Sequence, residues 1–279
     1  MRNREALVEL ALFALALACA LFGYGLPRFG RDAYTPRERE PGELRIVTWN
    51  VGGAAGRSGS PLREEHLPEV AETLRELDAD LVLLQELASL GQLGRLQQRL
   101  GDSVRDSAMS DRGARRVAVF ARRGVLTPLD TPRLEGGRAL GFRCDLPGGR
   151  PLVGIVLHAS AWSSQERNRE IGEAALWLAA EGRDVARFLA GDLNLDLDLD
   201  KRRDLFTDDE YLDVETYNFA ARGLRDAGLG RGATAEPDRR LDYVLFDPAE
   251  LELVDAGPWA GRRVGDMDHD PLVADFRFR

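Results

Sequence analysis

Residues 186–194 read ARFLAGDLN, and the prediction of the fold starts from this stretch. The apolar residues of 186–190 predict a buried strand. Asp192 and Asn194 follow directly, and their carboxylate and amide groups can contact a metal ion or a phosphate. A buried strand that ends in such side chains is typical of a site built at the edge of a sheet.

The same arrangement recurs along the chain. Predicted strands are followed or preceded by polar residues in LRIVTWN (44–50), DLVLLQE (80–86), PLVGIVLH (151–158), LDYVLF (241–246) and DHDPL (268–272). A single Asn or Asp after a strand is usually a turn residue, and a single His is usually structural. Six such places in one chain argue against coincidence.

Helical patterns alternate with these strands. Pro68 suits the first turn of a helix, and Ser163 with Glu166 forms a capping-box pattern. Further strands are predicted over 116–120, 139–144 and 251–254, and a helix over 215–229. Many strands with interleaved helices predict one α/β domain over residues 43–279, with two mixed sheets packed together and helices outside.

The polar residues suit metal-assisted cleavage of a phosphoester. Glu86, Asn50 and Asp268 offer the oxygen ligands that a hard divalent cation prefers. Asp192 can accept a proton from an attacking water. Asn194 can donate to a phosphate oxygen. His269 can donate to developing negative charge, with Asp242 as the carboxylate that orients it.

In this order, the motifs resemble the endonuclease/exonuclease/phosphatase superfamily. They are TWN (48–50), LQE (84–86), LHA (157–159), GDLN (191–194), RLDYVLF (240–246) and DHDPL (268–272). The superfamily includes deoxyribonuclease I-like enzymes, abasic-site endonucleases, neutral sphingomyelinases and inositol polyphosphate 5-phosphatases. The resemblance implies a four-layer α/β sandwich of the deoxyribonuclease I type that hydrolyses phosphoesters with Mg²⁺ or Mn²⁺.

The resemblance also implies roles for individual residues. Glu86 is similar to the main metal ligand of the family, with Asn50 and Asp268 close to the metal. Asp192 resembles the residue that orients or activates the attacking water.

The remaining motif positions concern the phosphate and the proton. Asn194 resembles the residue that holds the phosphate, and His269 the catalytic histidine, assisted by Asp242. His158 matches the second histidine of the nuclease- and sphingomyelinase-like branches, which contacts the scissile phosphate.

The chain departs from the family pattern in three respects. Met267 stands where the family usually has Ser before the final Asp-His pair, a change that removes no metal or proton-transfer group. No acidic partner for His158 is identifiable from the sequence. The Tyr and Arg expected of abasic-site endonucleases in the middle of the chain are missing, which disfavours a role in DNA repair.

Charge and cysteine content narrow the function further. The chain has 38 basic and 47 acidic residues, a formal charge of −9, which argues against a broad basic surface that coats nucleic acid. An enzyme that contacts a few phosphates in a cleft is still compatible. Two cysteines, Cys19 and Cys144, exclude a disulfide framework and a thiolate zinc cluster.

Other charged groups leave two interpretations open. Arginines at 115–116 and 122–123 flank one strand and either hold substrate phosphates or face solvent, and Arg167 and Arg169 are weaker candidates. Aspartates at 196, 198 and 200 form a solvated face or, less favoured, a second cation site.

The N-terminus is predicted to lie outside the folded domain. Leu10–Leu26 carries no charge, and residues 6–26 contain only Glu9 as a charged residue. A membrane-spanning helix needs about 20 apolar residues, so one hydrophobic helix within residues 1–26 is predicted as a membrane anchor or signal segment. Residues 27–42 contain three prolines and alternating charges, which predicts a linker.

Three functions are compatible with this sequence. The favoured one is a nuclease-like phosphodiesterase, because two candidate histidines are present. The second is a membrane-associated phosphatase or an esterase of sphingomyelin or phosphoinositides, and the third is a non-catalytic binding domain. The partners are a phosphoester substrate and a lipid bilayer through residues 6–26, with no protein partner predicted. The enzyme is expected to be membrane-anchored or exported, with an extracytoplasmic catalytic domain.

Overall fold

The computed structural model describes residues 34–54, 59–131, 137–147, 151–181, 185–197, 207–259, 261 and 264–279. The predicted N-terminal helix within residues 1–26 and the first part of the predicted linker, residues 27–33, lie outside these ranges. No helix within them is both long and apolar enough to cross a bilayer.

Twelve strands in the described ranges form two six-stranded mixed sheets. The first sheet has the order β11-β12-β1-β2-β4-β3. Its strands are β1 (Glu43–Asn50), β2 (Leu81–Leu87), β3 (Asp106–Met109), β4 (Arg116–Ala121), β11 (Leu251–Pro258) and β12 (Leu272–Phe278). The strands β1 and β2 are parallel, and the other pairs are antiparallel.

The second sheet has the order β5-β6-β7-β8-β10-β9. Its strands are β5 (Val125–Leu129), β6 (Ala139–Asp145), β7 (Leu152–His158), β8 (Ala186–Asp192), β9 (Arg225–Asp226) and β10 (Asp242–Phe246). The strands β7 and β8 are parallel, and the other pairs are antiparallel. Each sheet therefore contains one parallel pair near its centre.

The central strands are buried on both faces, which explains their nearly continuous apolar sequences. Successive residues point to opposite sides, so Leu44 and Ile46 of β1 face the second sheet while Val47 and Trp49 face the helices. Rings also meet between the sheets: Phe246 of β10 lies 4.9 Å from Phe276 of β12, measured between ring centroids.

Four α-helices in the described ranges cover the outer faces: α1 (Leu67–Leu77), α2 (Leu90–Leu100), α3 (Ser164–Ala180) and α4 (Glu210–Ala220). The first two pack on the first sheet and the last two on the second. The order helix, sheet, sheet, helix is the predicted four-layer α/β sandwich, and the predicted fold class is confirmed.

The helix starts follow from local chemistry, with one difference from the prediction. Pro68 lies in the first turn of α1, and the Ser163 hydroxyl accepts a hydrogen bond from the Glu166 amide at the start of α3. The helix predicted over 215–229 instead begins at Glu210, because the Asp209 carboxylate accepts from the Leu212 amide and caps it earlier.

The end of the predicted linker packs on the domain. The Tyr34 hydroxyl donates to Asp275 at 2.8 Å, and Arg45 donates to both oxygens of Asp275, at 2.7 and 3.1 Å. Arg39 forms ion pairs with Asp78 and Asp80. Residues 34–42, the last part of the predicted linker, are therefore held against the domain by buried and partly buried ion pairs and hydrogen bonds.

We expect Asp275→Asn to lower the free energy of unfolding by about 3 to 5 kcal/mol, because the buried Arg45 guanidinium would lose its counter-charge. Tyr34→Phe removes one hydrogen bond and should cost about 1 kcal/mol. Urea unfolding of both variants measures the difference. Equal stability of Asp275→Asn and the wild type would show that this cluster does not anchor the segment.

Candidate active site

Four predicted site residues meet because of the parallel pairs. Asn50 ends β1 and Glu86 lies at the end of β2, while His158 and Asp192 end β7 and β8. The carboxyl ends of parallel neighbours lie at the same edge of a sheet. Both pairs point to the same edge of the sandwich, so the four side chains line one cleft.

The antiparallel strands bring further predicted residues to this edge. Asp242, the first residue of β10, lies opposite Asp192 of β8. β12 runs antiparallel to β1, so Asp268 and His269, which precede it, lie near the end of β1. Asn194, Asp268 and His269 line the cleft, which has a volume of about 250 Å³. Asp242 lies behind His269.

Asp192 is the point at which the two sheets are joined in the cleft. The Asn50 amide of the first sheet donates to Asp192 Oδ2 at 2.9 Å, and the backbone N–H of Asn194 donates to Oδ1 at 3.0 Å. Burial raises the pKa of Asp192, while the nearby His269 opposes this shift. The two hydrogen bonds fix the carboxylate with one face toward the cleft.

His269 and Asp242 form the predicted pair. His269 Nδ1 lies 2.8 Å from Asp242 Oδ2, and its Nε2 lies 3.8 Å from Asp192 Oδ2. Burial alone would lower the pKa of His269, but the carboxylates of Asp242 and Asp192 outweigh it and raise the pKa to about 10. The imidazole is therefore cationic near neutral pH.

A short loop holds this pair in place. The Thr234 hydroxyl accepts hydrogen bonds from the backbone N–H groups of Leu241 and Asp242, each at 3.1 Å. Ala235 forms a β-bridge with His269. The start of β10 and the residues before β12 are thus both hydrogen-bonded to the loop that contains Thr234 and Ala235.

His158 lies on the other side of Asp192. Its Nε2 is 3.6 Å from both Glu86 Oε1 and Asp192 Oδ2, and its Nδ1 is buried with no hydrogen-bond partner in the described part of the chain. Burial lowers the pKa of His158 to about 4. The sequence identifies no acidic partner for His158. In the structure, the carboxylates of Glu86 and Asp192 are its nearest acidic groups, but both lie beyond hydrogen-bond distance.

Glu86 occupies a constrained position. Its backbone has a φ of +65°, and a side chain at Gly52 would collide with its carboxylate. Arg115 Nη1 donates to Glu86 Oε1 at 2.9 Å. Burial raises the pKa of Glu86 to about 7, although Arg115 opposes the shift. The negative charge of the Glu86 carboxylate is therefore only partly balanced by the positive charges of the protein.

The donors in the cleft fit a hard divalent cation. Ligand atoms of Asp192, Asp242 and His269 lie within 4.8 Å of one another, and Asp242 Oδ1 is buried without a hydrogen-bond partner among the described residues. Glu86 adds the undercompensated carboxylate. Carboxylate and amide oxygens are the ligands that hard divalent cations prefer.

Comparison with known families decides the assignment. Residues 47–263 match the model of the Endonuclease/Exonuclease/phosphatase family. The chain belongs to this family. The predicted family is thus confirmed, and the chain is an enzyme of the class that hydrolyses phosphoester bonds.

Solved structures of the family share the fold of this chain. A family member from Beutenbergia cavernae DSM 12333 is 24% identical, with 85% of this chain and 72% of that chain covered and a TM-score of 0.61. The human Nocturnin catalytic domain with a bound sulfate anion is 18% identical, with 91% and 99% covered and a TM-score of 0.64. D. rerio TDP2 in complex with a single-strand DNA product is 17% identical, with 84% and 99% covered and a TM-score of 0.62. No curated protein sequence matches this chain.

The arginines considered as phosphate-binding groups lie in different places in the structure. Arg115 lines the cleft. Arg116 donates to the carbonyl of Gly113, and Arg122 and Arg123 pair with Asp78 and Asp80 at the opposite end of β4.

Arg167, Arg169 and Asp196 do not line the cleft. Arg167 is buried and donates to Asp213 at 3.0 and 2.7 Å, while Arg169 forms an i,i+4 pair with Glu173. Asp196 is fully buried, so the expected solvated face is wrong at this position. Asp198 and Asp200 lie outside the described residues.

Thr234 and Trp162 are among the residues of the site that escaped sequence reasoning. Thr234 has no distinguishing sequence context. Trp162 lines the cleft and is exposed, and a signal for it exists: SAWSSQ (160–165) surrounds one tryptophan with small and polar residues, unlike a core aromatic.

In Asp242→Asn we expect the pKa of His269 to fall below its wild-type value of about 10, because the Asp242 carboxylate is the main group that offsets burial. A wild-type imidazole that stays protonated between pH 6 and 8 would then titrate at lower pH, which NMR of the ring protons measures. Asp266→Asn, beside His66, is the control and should leave His269 unchanged. An unshifted His269 in Asp242→Asn would contradict the assigned pair.

Proposed function

We propose that this enzyme is a divalent-metal-dependent phosphodiesterase that cleaves nucleic acid by attack of water on phosphorus. One observation carries the proposal: two buried imidazoles flank one carboxylate, with His158 Nε2 at 3.6 Å and His269 Nε2 at 3.8 Å from Asp192 Oδ2. A phosphate bound next to Asp192 would therefore be within reach of both imidazoles.

Asp192 is the proposed acceptor of the proton from the water. Asn50 and the Asn194 backbone hold its carboxylate, so that little reorganisation is needed during the reaction. The carboxylate lies between the two imidazoles, where a water bound to it would be directed at the phosphorus.

His269 is the proposed donor to the phosphate. Its Nδ1–H is held by Asp242, which leaves Nε2 facing the cleft. A protonated imidazole can donate to a phosphate oxygen and stabilise the charge that develops there. His158 faces the same space from the opposite side, and Asn194 lines the cleft beside it.

Glu86, Asn50 and Asp268 are the proposed metal ligands, and Mg²⁺ or Mn²⁺ is the proposed ion. When bound, the ion neutralises phosphate charge and stabilises the departing oxygen. The group formed by Asp192, Asp242 and His269 is the alternative position. We favour the first position because the hydrogen bond of Nδ1 with Asp242 leaves Nε2 as the ligand atom of His269 in the alternative group, and Nε2 could then not donate to the phosphate.

The lining of the cleft supports a nucleic-acid substrate. Arg115 can contact a phosphate, and the exposed Trp162 lines the same cleft as the candidate catalytic groups. The similar structure of D. rerio TDP2 holds a single-strand DNA product. Phosphatase and phospholipid esterase activities are the competing possibilities, and the following assay includes them.

We expect metal-dependent hydrolysis of DNA or RNA, rather than of sphingomyelin, phosphoinositides or a phosphomonoester, when the protein is incubated with each and with Mg²⁺ or Mn²⁺. Chelator should abolish activity, and His269→Ala should reduce it about 10²- to 10⁴-fold, as for a general acid. Cleavage of a lipid or a monoester alone would refute the nuclease assignment. A folded, metal-binding protein without activity on any of these would favour a binding domain.

Metal binding provides the control in this assay. Glu86→Gln is isosteric and should weaken Mn²⁺ binding, measured by electron paramagnetic resonance, together with turnover. Asp242→Asn should reduce turnover while Mn²⁺ binding persists. The reverse result would place the ion at Asp192, Asp242 and His269 instead.

We also propose, from the sequence of residues 6–26 alone, that the N-terminus tethers the catalytic domain to a membrane on its extracytoplasmic side. Deletion of residues 1–31 retains Tyr34 and its contact with Asp275. The shortened chain should remain in the soluble fraction after vesicle flotation, whereas the full chain should float. Flotation of both would show that the attachment lies elsewhere.

A further inference from the structure

Trp162 is an exposed aromatic side chain at the border of the catalytic cleft. Its relative exposure is 67%, and it lines the same cleft as Glu86 and His158. The other large apolar side chains exposed in the described ranges are Leu90, Val125, Leu176, Tyr211, Phe219 and Leu229, and none of them lines the cleft. The exposed ring of Trp162 leaves a large apolar surface in contact with water, and a ligand in the cleft could cover that surface.

The loop that carries Trp162 is firmly held. The Ser160 backbone N–H donates to Glu170 at 2.8 Å, and the Ser160 hydroxyl donates to Glu166 at 2.8 Å. Arg167 donates to the Ser160 carbonyl at 3.1 Å. Ala159 is tied to Asp192 by a backbone hydrogen bond of 2.9 Å. The indole is therefore presented on a preorganised loop, which reduces the entropy that a ligand would lose on binding it.

The serine hydroxyls next to Trp162 in the chain take part in hydrogen bonds of the loop. The Ser160 hydroxyl donates to Glu166, and the Ser163 hydroxyl caps α3 by accepting from the Glu166 amide. What Trp162 itself offers a ligand is a flat apolar surface. A planar group such as a nucleobase needs only this surface, and stacking accepts any base.

The surroundings disfavour a lipid contact. A membrane-binding surface combines several apolar side chains with basic ones. Here Trp162 is the only large apolar side chain in the described ranges that is both exposed and part of the cleft lining. A single indole suits stacking on one planar group better than insertion into a bilayer.

We propose that Trp162 is a stacking platform for the base of a nucleotide that adjoins the scissile phosphate, on the side of the cleft formed by His158. This inference rests on the proposed nuclease function and names the substrate feature that the site reads: a planar base, without sequence preference. Trp162 binds the substrate and takes no part in proton transfer.

The test uses oligonucleotides of the type cleaved by the full chain, with one cleavable phosphodiester and methylphosphonate linkages elsewhere. In separate substrates, the nucleotide on one side or the other of the cleavable phosphodiester either carries its base or is abasic. Trp162→Ala should raise KM for the fully based substrate about 5- to 150-fold, the range that base–aromatic stacking supports. It should leave kcat nearly unchanged. It should also leave KM nearly unchanged for the abasic substrate that lacks the base stacked on Trp162, and Trp162→Phe should recover most of the affinity for the fully based substrate.

Tyr211→Ala is the matched control, since Tyr211 is 74% exposed and does not line the cleft. It should behave as the wild type. An equal KM for Trp162→Ala and the wild type on the based substrate would overturn the stacking proposal while leaving the nuclease function intact. Loss of binding to phosphatidylcholine vesicles with unchanged KM would identify a lipid contact and would also overturn it.

A binding measurement separates this proposal from the proposed function. His269→Ala should show tryptophan fluorescence quenching with a based oligonucleotide and less with an abasic one, and His269→Ala/Trp162→Phe should lose that quenching. If the wild type cleaves no oligonucleotide, the nuclease function fails. Base-dependent quenching would then still support stacking, and its absence would overturn it.

Discussion

The hydrogen bond from the Asn50 amide to the Asp192 carboxylate, 2.9 Å long, joins the two sheets at the edge where the cleft lies. Asn50 belongs to the first sheet and Asp192 to the second. Every group of the candidate site is carried by one sheet or the other, so the site exists only when the sheets are packed face to face. The apolar layer between them, with Phe246 against Phe276, supplies that packing and leaves the polar side chains at its edge.

The two histidines show how placement controls chemistry. Both imidazoles are buried, yet the pKa of His158 is lowered to about 4 and that of His269 is raised to about 10. Desolvation acts on both in the same direction. His269 differs because Asp242 lies at 2.8 Å, whereas the carboxylates nearest His158 lie at 3.6 Å. One neutral and one cationic imidazole around a single carboxylate form a division of roles that suits acid and base chemistry.

Several unfavourable features of the fold lie at this same edge. Glu86 and Asn194 have positive φ values of 65° and 50°, and the buried atoms His158 Nδ1 and Asp242 Oδ1 lack hydrogen-bond partners in the described ranges. Such features cost about 1 to 3 kcal/mol each and persist when the surrounding structure enforces them. Here the enforcing structure is the pair of parallel strands in each sheet, together with the loop at Thr234.

Short-range patterns were sufficient to place most strands and the polar residues that follow them, because an apolar run bounded by polar residues is a property of neighbours in the chain. The order of motifs was sufficient for the family. It also named the eight candidate site residues, whose roles stay predictions. Fine details were not predictable in this way: the cap at Asp209 starts a helix earlier than predicted, and Tyr34 of the predicted linker is hydrogen-bonded to Asp275 of the domain.

Other properties depend on residues that are distant in the chain. Arginines flank β4 at both ends, but only the pairing of β4 with β2 brings Arg115 to Glu86 and sends Arg122 and Arg123 to Asp78 and Asp80. Contacts between residues that are distant in the chain also determine the charge of His269, the burial of Asp196 and the exposure of Trp162. Solvent exclusion and electrostatic fields are set by everything that packs around a group, so they arise only once the two sheets have met.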